Sequence, residues 1–170
     1  MGRIAWLAIG VACSLAACGR GAGADSSASS QPARVGRAAP GWSEPSLPGP
    51  TLSLALLHGK AVYLNFFATW CPPCNEEAPA IDALARAYAR RGLEVVGVDV
   101  LENARKAAAF RSEHHLAYPV VVDSGTLRDQ YEVNGLPVHV FIDRGGVVRK
   151  IVVGELSPAA MRANVERILR

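Results

Sequence analysis

Two cysteines three residues apart, Cys71 and Cys74 in the run Cys-Pro-Pro-Cys, are the residues of this chain best suited to chemistry. Such a pair can cycle between dithiol and disulfide, because one helical turn brings the two sulfurs within bonding reach. Cys71 falls where an apolar run gives way to a helical pattern. A helix start offers unpaired N–H groups and a partial positive charge, and both favour thiolate over thiol. The Cys71 pKa is therefore expected below the free value of about 8.5. Pro72 and Pro73 suit the first turn, whose N–H groups lack helical acceptors, and they stiffen it. Cys71, at an exposed tip, is expected to attack a disulfide; Cys74, deeper and higher in pKa, is expected to resolve the product. A static staple is the alternative. So small a loop removes little chain entropy, which argues against it.

The four cysteines are Cys13, Cys18, Cys71 and Cys74. Two sulfurs make a poor structural zinc site, which wants four ligands, and no second C-x-x-C or H-x₃-H follows. No cofactor or metal is expected. Residues 4–17 form an apolar run behind Arg3, ending Leu15-Ala16-Ala17-Cys18. The run is shorter than the roughly 20 apolar residues of a membrane-spanning helix. It suits a signal peptide over 1–17, and its end resembles a bacterial lipobox with Cys18 as the lipidated residue. An ordinary signal, with Cys18 incidental, is the alternative. Residues 18–39 are rich in Gly, Ala, Ser and Pro with little to bury, and are expected to be a flexible linker.

The elements that must position the cysteines lie in a domain expected over 40–170. Proline at 40, 45, 48 and 50 favours turns and short edge strands in 40–59. Residues 61–67 and 93–99 read as strands covered on both faces. Between them, 72–90 carries apolar residues at helical spacing and Gly92 stops it. A helix over 103–115, a strand over 119–122 and a short helix over 126–133 follow. Strands 138–142 and 147–153 flank the turn Asp143-Arg144-Gly145-Gly146, and Ser157-Pro158 caps a last helix over 158–169. The order β-α-β-α-β-α-β-β-α predicts an α/β fold with a mixed central sheet, flanked by helices and preceded by an N-terminal extension. A formal charge of +3 and scattered arginines give no basic face for nucleic acid.

The segment Asn65-Phe66-Phe67-Ala68-Thr69-Trp70-Cys71-Pro72-Pro73-Cys74 resembles the active-site segment of the TlpA/ResA-like thioredoxins of bacterial envelopes. Tyr131 to Pro137, Phe141-Ile142-Asp143 and Gly154 to Pro158 continue the likeness through the folded part. The resemblance implies a thioredoxin-like fold and a thiol–disulfide oxidoreductase. It makes Pro137 a cis-proline facing the disulfide and Leu136 a backbone partner for an extended substrate. From residues alone a trans proline opening a strand is the commoner case. Trp70 would shield the sulfurs, or serve as a core aromatic.

Asn65 stands where thioredoxin has a buried aspartate. Glu77, one turn beyond Cys74, would accept the Cys74 proton if burial raises its pKa. A surface carboxylate favoured near a helix start is the alternative, and Glu76 fits that description equally. His139 replaces the group's usual small polar residue. It is expected to be buried and neutral, with a pH switch or metal ligand as the sharper alternative.

The resemblance further implies protein disulfide substrates, apocytochrome c among them, and a membrane thiol reductant of the DsbD/CcdA kind. With the lipobox at Cys18, a lipid-anchored monomer in the cell envelope is expected, facing the periplasm or exterior. A competing reading is a copper chaperone using Cys71, Cys74 and His139, although copper carriers on this fold space their cysteines C-x-x-x-C. A peroxidase would want Thr-x-x-Cys, which is absent.

Overall fold

The computed structural model describes residues 31–170. Three two-residue strands come first: β1 (Ser43–Glu44), β2 (Ser46–Leu47) and β3 (Leu52–Ser53). Then follow β4 (Ala61–Phe67), α1 (Pro72–Tyr88), β5 (Leu93–Asp99), α2 (Ala104–Glu113), β6 (Val120–Val122) and α3 (Thr126–Gln130). The chain closes with β7 (Val138–Ile142), β8 (Val148–Val153) and α4 (Pro158–Ile168). Six strands make one sheet in the order β2-β6-β5-β4-β7-β8. Within it β4, β5 and β6 are parallel, whereas β2, β7 and β8 run antiparallel to their neighbours. The mixed sheet read from the sequence is present.

Strand alternation divides the core into two layers. Tyr63 and Phe67 of β4 face the layer built with Ile81 of α1, Phe110 of α2 and Met161 of α4. Val62, Leu64 and Phe66 face the other, with Val98, Leu127 of α3 and Trp42. The central strands are covered on both sides, which is why their sequences run apolar without a break.

Helix starts follow their caps. The Asn103 side chain accepts from the Arg105 and Lys106 N–H groups, and the Ser157 hydroxyl accepts from that of Ala160. After α1 a short 3₁₀ turn (Ala89–Arg91) leads to Gly92, whose φ of 84° lies in the left-handed region. The helix expected over 126–133 is only five residues long, because Tyr131 caps it and Glu132 takes a positive φ of 51°.

The linker expected over 18–39 does not extend through 33–39, which are bonded to the domain. The N–H groups of Ala33, Gly36 and Ala39 donate to the carbonyls of Gln130, Val148 and Gly146, each at 2.8 Å. Ala38 bridges to Val147, and Arg34 forms an ion pair with Glu132. The domain therefore begins before Pro40. Backbone bonds hold this segment along with the small side chains of Ala33 and Ala39, which pack against the core, so its Ala-, Gly- and Pro-rich composition gives little sign of it. The remainder of the expected linker, the signal segment and Cys18 lie outside the described residues, apart from Gln31 and Pro32. Among the described residues no helix is long and apolar enough to cross a membrane.

Gly97 in the middle of β5 leaves room for the aromatic layer packed against that face of the sheet. A Cβ there would stand 3.1 Å from Phe67, 3.2 Å from Val120 and 3.3 Å from Tyr118. All three are buried, and Phe67 is stacked on Phe110 at 4.3 Å between centroids. None can give way cheaply. Gly97→Ala is predicted to destabilise the domain by about 1–3 kcal/mol in urea unfolding, the usual range for overpacking. An unchanged midpoint would contradict this packing.

Candidate active site

The site forms where β4 ends and α1 begins. Cys71 is the N-cap of α1: its sulfur accepts the Cys74 N–H at 3.3 Å, and Pro72 and Pro73 occupy the first turn. The Cys71 N–H donates to the Ala68 carbonyl at 3.1 Å, which closes the turn out of β4. Cys71 and Cys74 are joined in a disulfide, with Cα atoms 5.3 Å apart.

Two polar residues that sequence reasoning passed over hold the turn. The Asn75 amide nitrogen donates to the carbonyls of Thr69 at 3.1 Å and Cys71 at 2.7 Å. Both partners are acceptors, which fixes the orientation of the amide. Its oxygen accepts from His114 Nε2 at 3.0 Å, so His114 does more than end a helix. From the other side Glu102 accepts the Thr69 N–H and, at 2.8 Å, the Thr69 hydroxyl. A loop acid reads as a surface group in sequence, and only the fold brings it to Thr69.

Cys71 is not the exposed tip expected of it. It is 3% exposed and Cys74 2%. Access separates the two instead: Cys71 lines an open cleft of about 730 Å³, and Cys74 does not. Trp70, Pro72, Pro73 and Leu136 line the same cleft, together with Val100, Leu101 and the segment Glu132 to Gly135. Trp70 is 60% exposed and is no core residue. The Leu136–Pro137 bond is cis. So is Leu47–Pro48, at the edge strand β2, which nothing in the sequence singled out.

Behind the disulfide, polar groups are buried in the apolar layer. Glu77 is 7% exposed; its Oε1 accepts the Leu156 N–H. Burial pushes its carboxyl up to about 6, with the Leu156 N–H opposing and Glu155 adding. Glu76, by contrast, is exposed. His139 is fully buried, and burial lowers its imidazole to about 4, the Gly154 carbonyl acting in the opposite sense. Asp99, at the end of β5, is also fully buried with both carboxylate oxygens unpartnered. Burial raises it to about 7, Glu102 adding and Lys106 opposing. Among the described residues no three His, Cys, Asp or Glu side chains converge to hold a metal. Cys71, Cys74 and His139 form no such group in this oxidised state.

The model of the AhpC/TSA family matches residues 35–151. Thiol-disulfide oxidoreductase ResA of Bacillus cereus is 32% identical over 136 residues, covering 79% of this chain and 79% of its own. The chain belongs to the AhpC/TSA family, as a ResA-like thiol-disulfide oxidoreductase. Thioredoxin-like protein YneN of Bacillus subtilis is 34% identical to this ResA-like chain, covering 77% of it and 78% of YneN. Among solved structures, a thioredoxin-family thiol:disulfide interchange protein of Chlorobium tepidum superposes with a TM-score of 0.74 at 33% identity. The match covers 81% of this chain and 99% of that one. A DsbE-type interchange protein of the same organism gives 0.76 at 28% identity, with the same coverage. The thioredoxin-like fold is thereby established.

The buried carboxyl sets a pH dependence. The folded pKa of Glu77, about 6, lies above its ordinary 4.5, so the folded ResA-like domain holds this proton more tightly than the unfolded chain. Its contribution to stability is complete below pH 4.5 and is lost as pH rises through about 6. Urea unfolding of the oxidised protein across this window should therefore move against wild type relative to Glu77→Gln. A pH-independent difference between the two would contradict the assignment.

Proposed function

We propose that this oxidoreductase is a disulfide reductant of the bacterial envelope, tethered to a membrane through Cys18. The observation that carries the direction of attack is the placement of Cys71: it caps a helix and lines the cleft, while Cys74 lies behind it. In the reduced protein the Cys71 thiolate attacks a substrate disulfide presented in that cleft. A Cys71–substrate bond forms, and the other substrate sulfur leaves as thiolate. Cys74 then attacks the Cys71 sulfur, closing the disulfide and releasing the second substrate sulfur. Two electrons have passed to the substrate, and Glu77 receives the Cys74 proton.

The cleft supports extended substrates. Leu136 stands beside the cis bond at the cleft wall, and Trp70 and Leu101 give it apolar, exposed rims. Apocytochrome c, whose haem-attachment cysteines must be kept reduced, fits a ligand of this kind. A membrane thiol reductant of the DsbD/CcdA kind would recharge the pair. A reductant should have a potential near the thioredoxin value of about −270 mV rather than the DsbA value of about −120 mV.

Cys74→Ala should accumulate mixed disulfides in the source bacterium, and all should vanish when Cys71 is also replaced. Mass spectrometry of the trapped partners tests the reading. The absence of apocytochrome c would remove the maturation role. A potential near that of DsbA, on equilibration with glutathione, would overturn the reductant assignment.

A further inference from the structure

His139 sits in the middle of β7, opposite Asn65 in the register with β4. Its two ring nitrogens meet different partners. Nδ1 lies 2.8 Å from the Tyr63 hydroxyl and 3.4 Å from the Asn65 amide nitrogen. An amide NH₂ can only donate, whereas a hydroxyl can donate or accept. With Asn65 donating, Nδ1 is an acceptor. In this arrangement the Tyr63 hydroxyl, the nearer partner, donates as well, which assigns the ring proton to Nε2. That Nε2 stands 3.4 Å from Glu77 Oε2, and neither buried atom has a hydrogen-bond partner of normal geometry. Two atoms with unmet needs, one a donor and one an acceptor, face each other behind the disulfide.

We propose that His139 is a positioning residue for disulfide exchange: held by Tyr63 as the Nε2–H tautomer, it donates to Glu77 and fixes the carboxylate that serves Cys74. The proposal rests on the reading of Glu77 as the acceptor of the Cys74 proton. A neutral donor suits that role. An imidazolium would bind Glu77 as an ion pair and take away its basicity, whereas a neutral N–H orients the carboxylate and leaves it able to accept a proton. Burial favours the neutral ring. Tyr63 stays protonated, because burial and the nearby Glu77 raise its pKa well above the ordinary value.

The remaining groups around the chain are consistent with this arrangement. From the loop after β8, the Leu156 N–H holds Glu77 Oε1, the Gly154 carbonyl faces the ring, and Glu155 disfavours the Glu77 charge. Each carboxylate oxygen keeps a second lone pair for the incoming proton. Glu77 also lines a separate cleft of about 370 Å³ beside Glu76 and Glu155, an exit for that proton to water. Proton and substrate thus use different openings.

The test uses the reduced protein and the disulfide of dithiobis(nitrobenzoate), which releases one coloured thiolate when Cys71 attacks and a second when Cys74 attacks. His139→Leu should slow the second release about tenfold or more at pH 7, as expected for a misplaced general base, and leave the first unchanged. His139→Gln, whose amide can reach Glu77 with an N–H, should restore most of that rate. ¹⁵N spectra of the wild-type ring should show the Nε2–H tautomer, and Tyr63→Phe should mix the tautomers. An Nδ1–H ring overturns the proposal, as does a second release unaffected by His139→Leu while Glu77→Gln slows it. If Glu77→Gln also leaves the second release unchanged, the reading of Glu77 falls instead. Should His139→Leu not fold, the wild-type tautomer and Tyr63→Phe still decide.

Discussion

The Cys71 sulfur accepts the Cys74 N–H at 3.3 Å and so caps α1 with one of the two sulfurs of the redox pair. One contact serves structure and chemistry together, since the unpaired N–H groups of a helix start are also what stabilises a thiolate. Several elements exist in this arrangement to hold that turn still. Ala68 closes it from β4, Asn75 ties it to α1, and Glu102 grips Thr69 from the loop after β5. The cis bond before Pro137 places the opposite wall of the cleft.

The polar groups behind the disulfide are what a purely structural core would avoid. Asn65, Glu77 and His139 are buried on the same layer as Tyr63 and Phe141, where each incurs a desolvation cost that the bonds from Leu156 to Glu77 and among Tyr63, Asn65 and His139 offset only in part. An apolar triplet of similar volume would pack there without that cost. Glu77, one turn beyond Cys74 on α1, joins Asn65 and His139 in one buried polar group, and the proposed proton transfer from Cys74 would give that group a use in chemistry.

The helices and long strands were legible because burial on one or both faces writes a period into the sequence. The β4 run from Ala61 to Phe67 and the cap at Ser157-Pro158 needed no structure to find. Residues 33–39 were not legible, since main-chain bonds to the turn and strand near Val148 leave no side-chain pattern. The exposure of Cys71 was misjudged because the start of a helix is usually open, whereas here the disulfide and the cleft walls enclose the sulfur. His139 lay in an apolar run with no mark of its partners, which come from β4 and α1. Pro137 could be placed as a cis-proline only through a family likeness; Pro48, also cis, had no such likeness to reveal it.

The proposed mechanism gives unequal roles to two cysteines of nearly equal burial. The most direct measurement is the pH dependence of alkylation of each thiol in the reduced protein, resolved by mass spectrometry. Cys71 should react first, through a thiolate titrating below the free value of about 8.5. Cys74 should remain unmodified until Cys71 is blocked or the domain is unfolded. Preferential alkylation of Cys74, or a Cys71 thiol titrating at or above the free value, would contradict the assignment of Cys71 as the capping nucleophile.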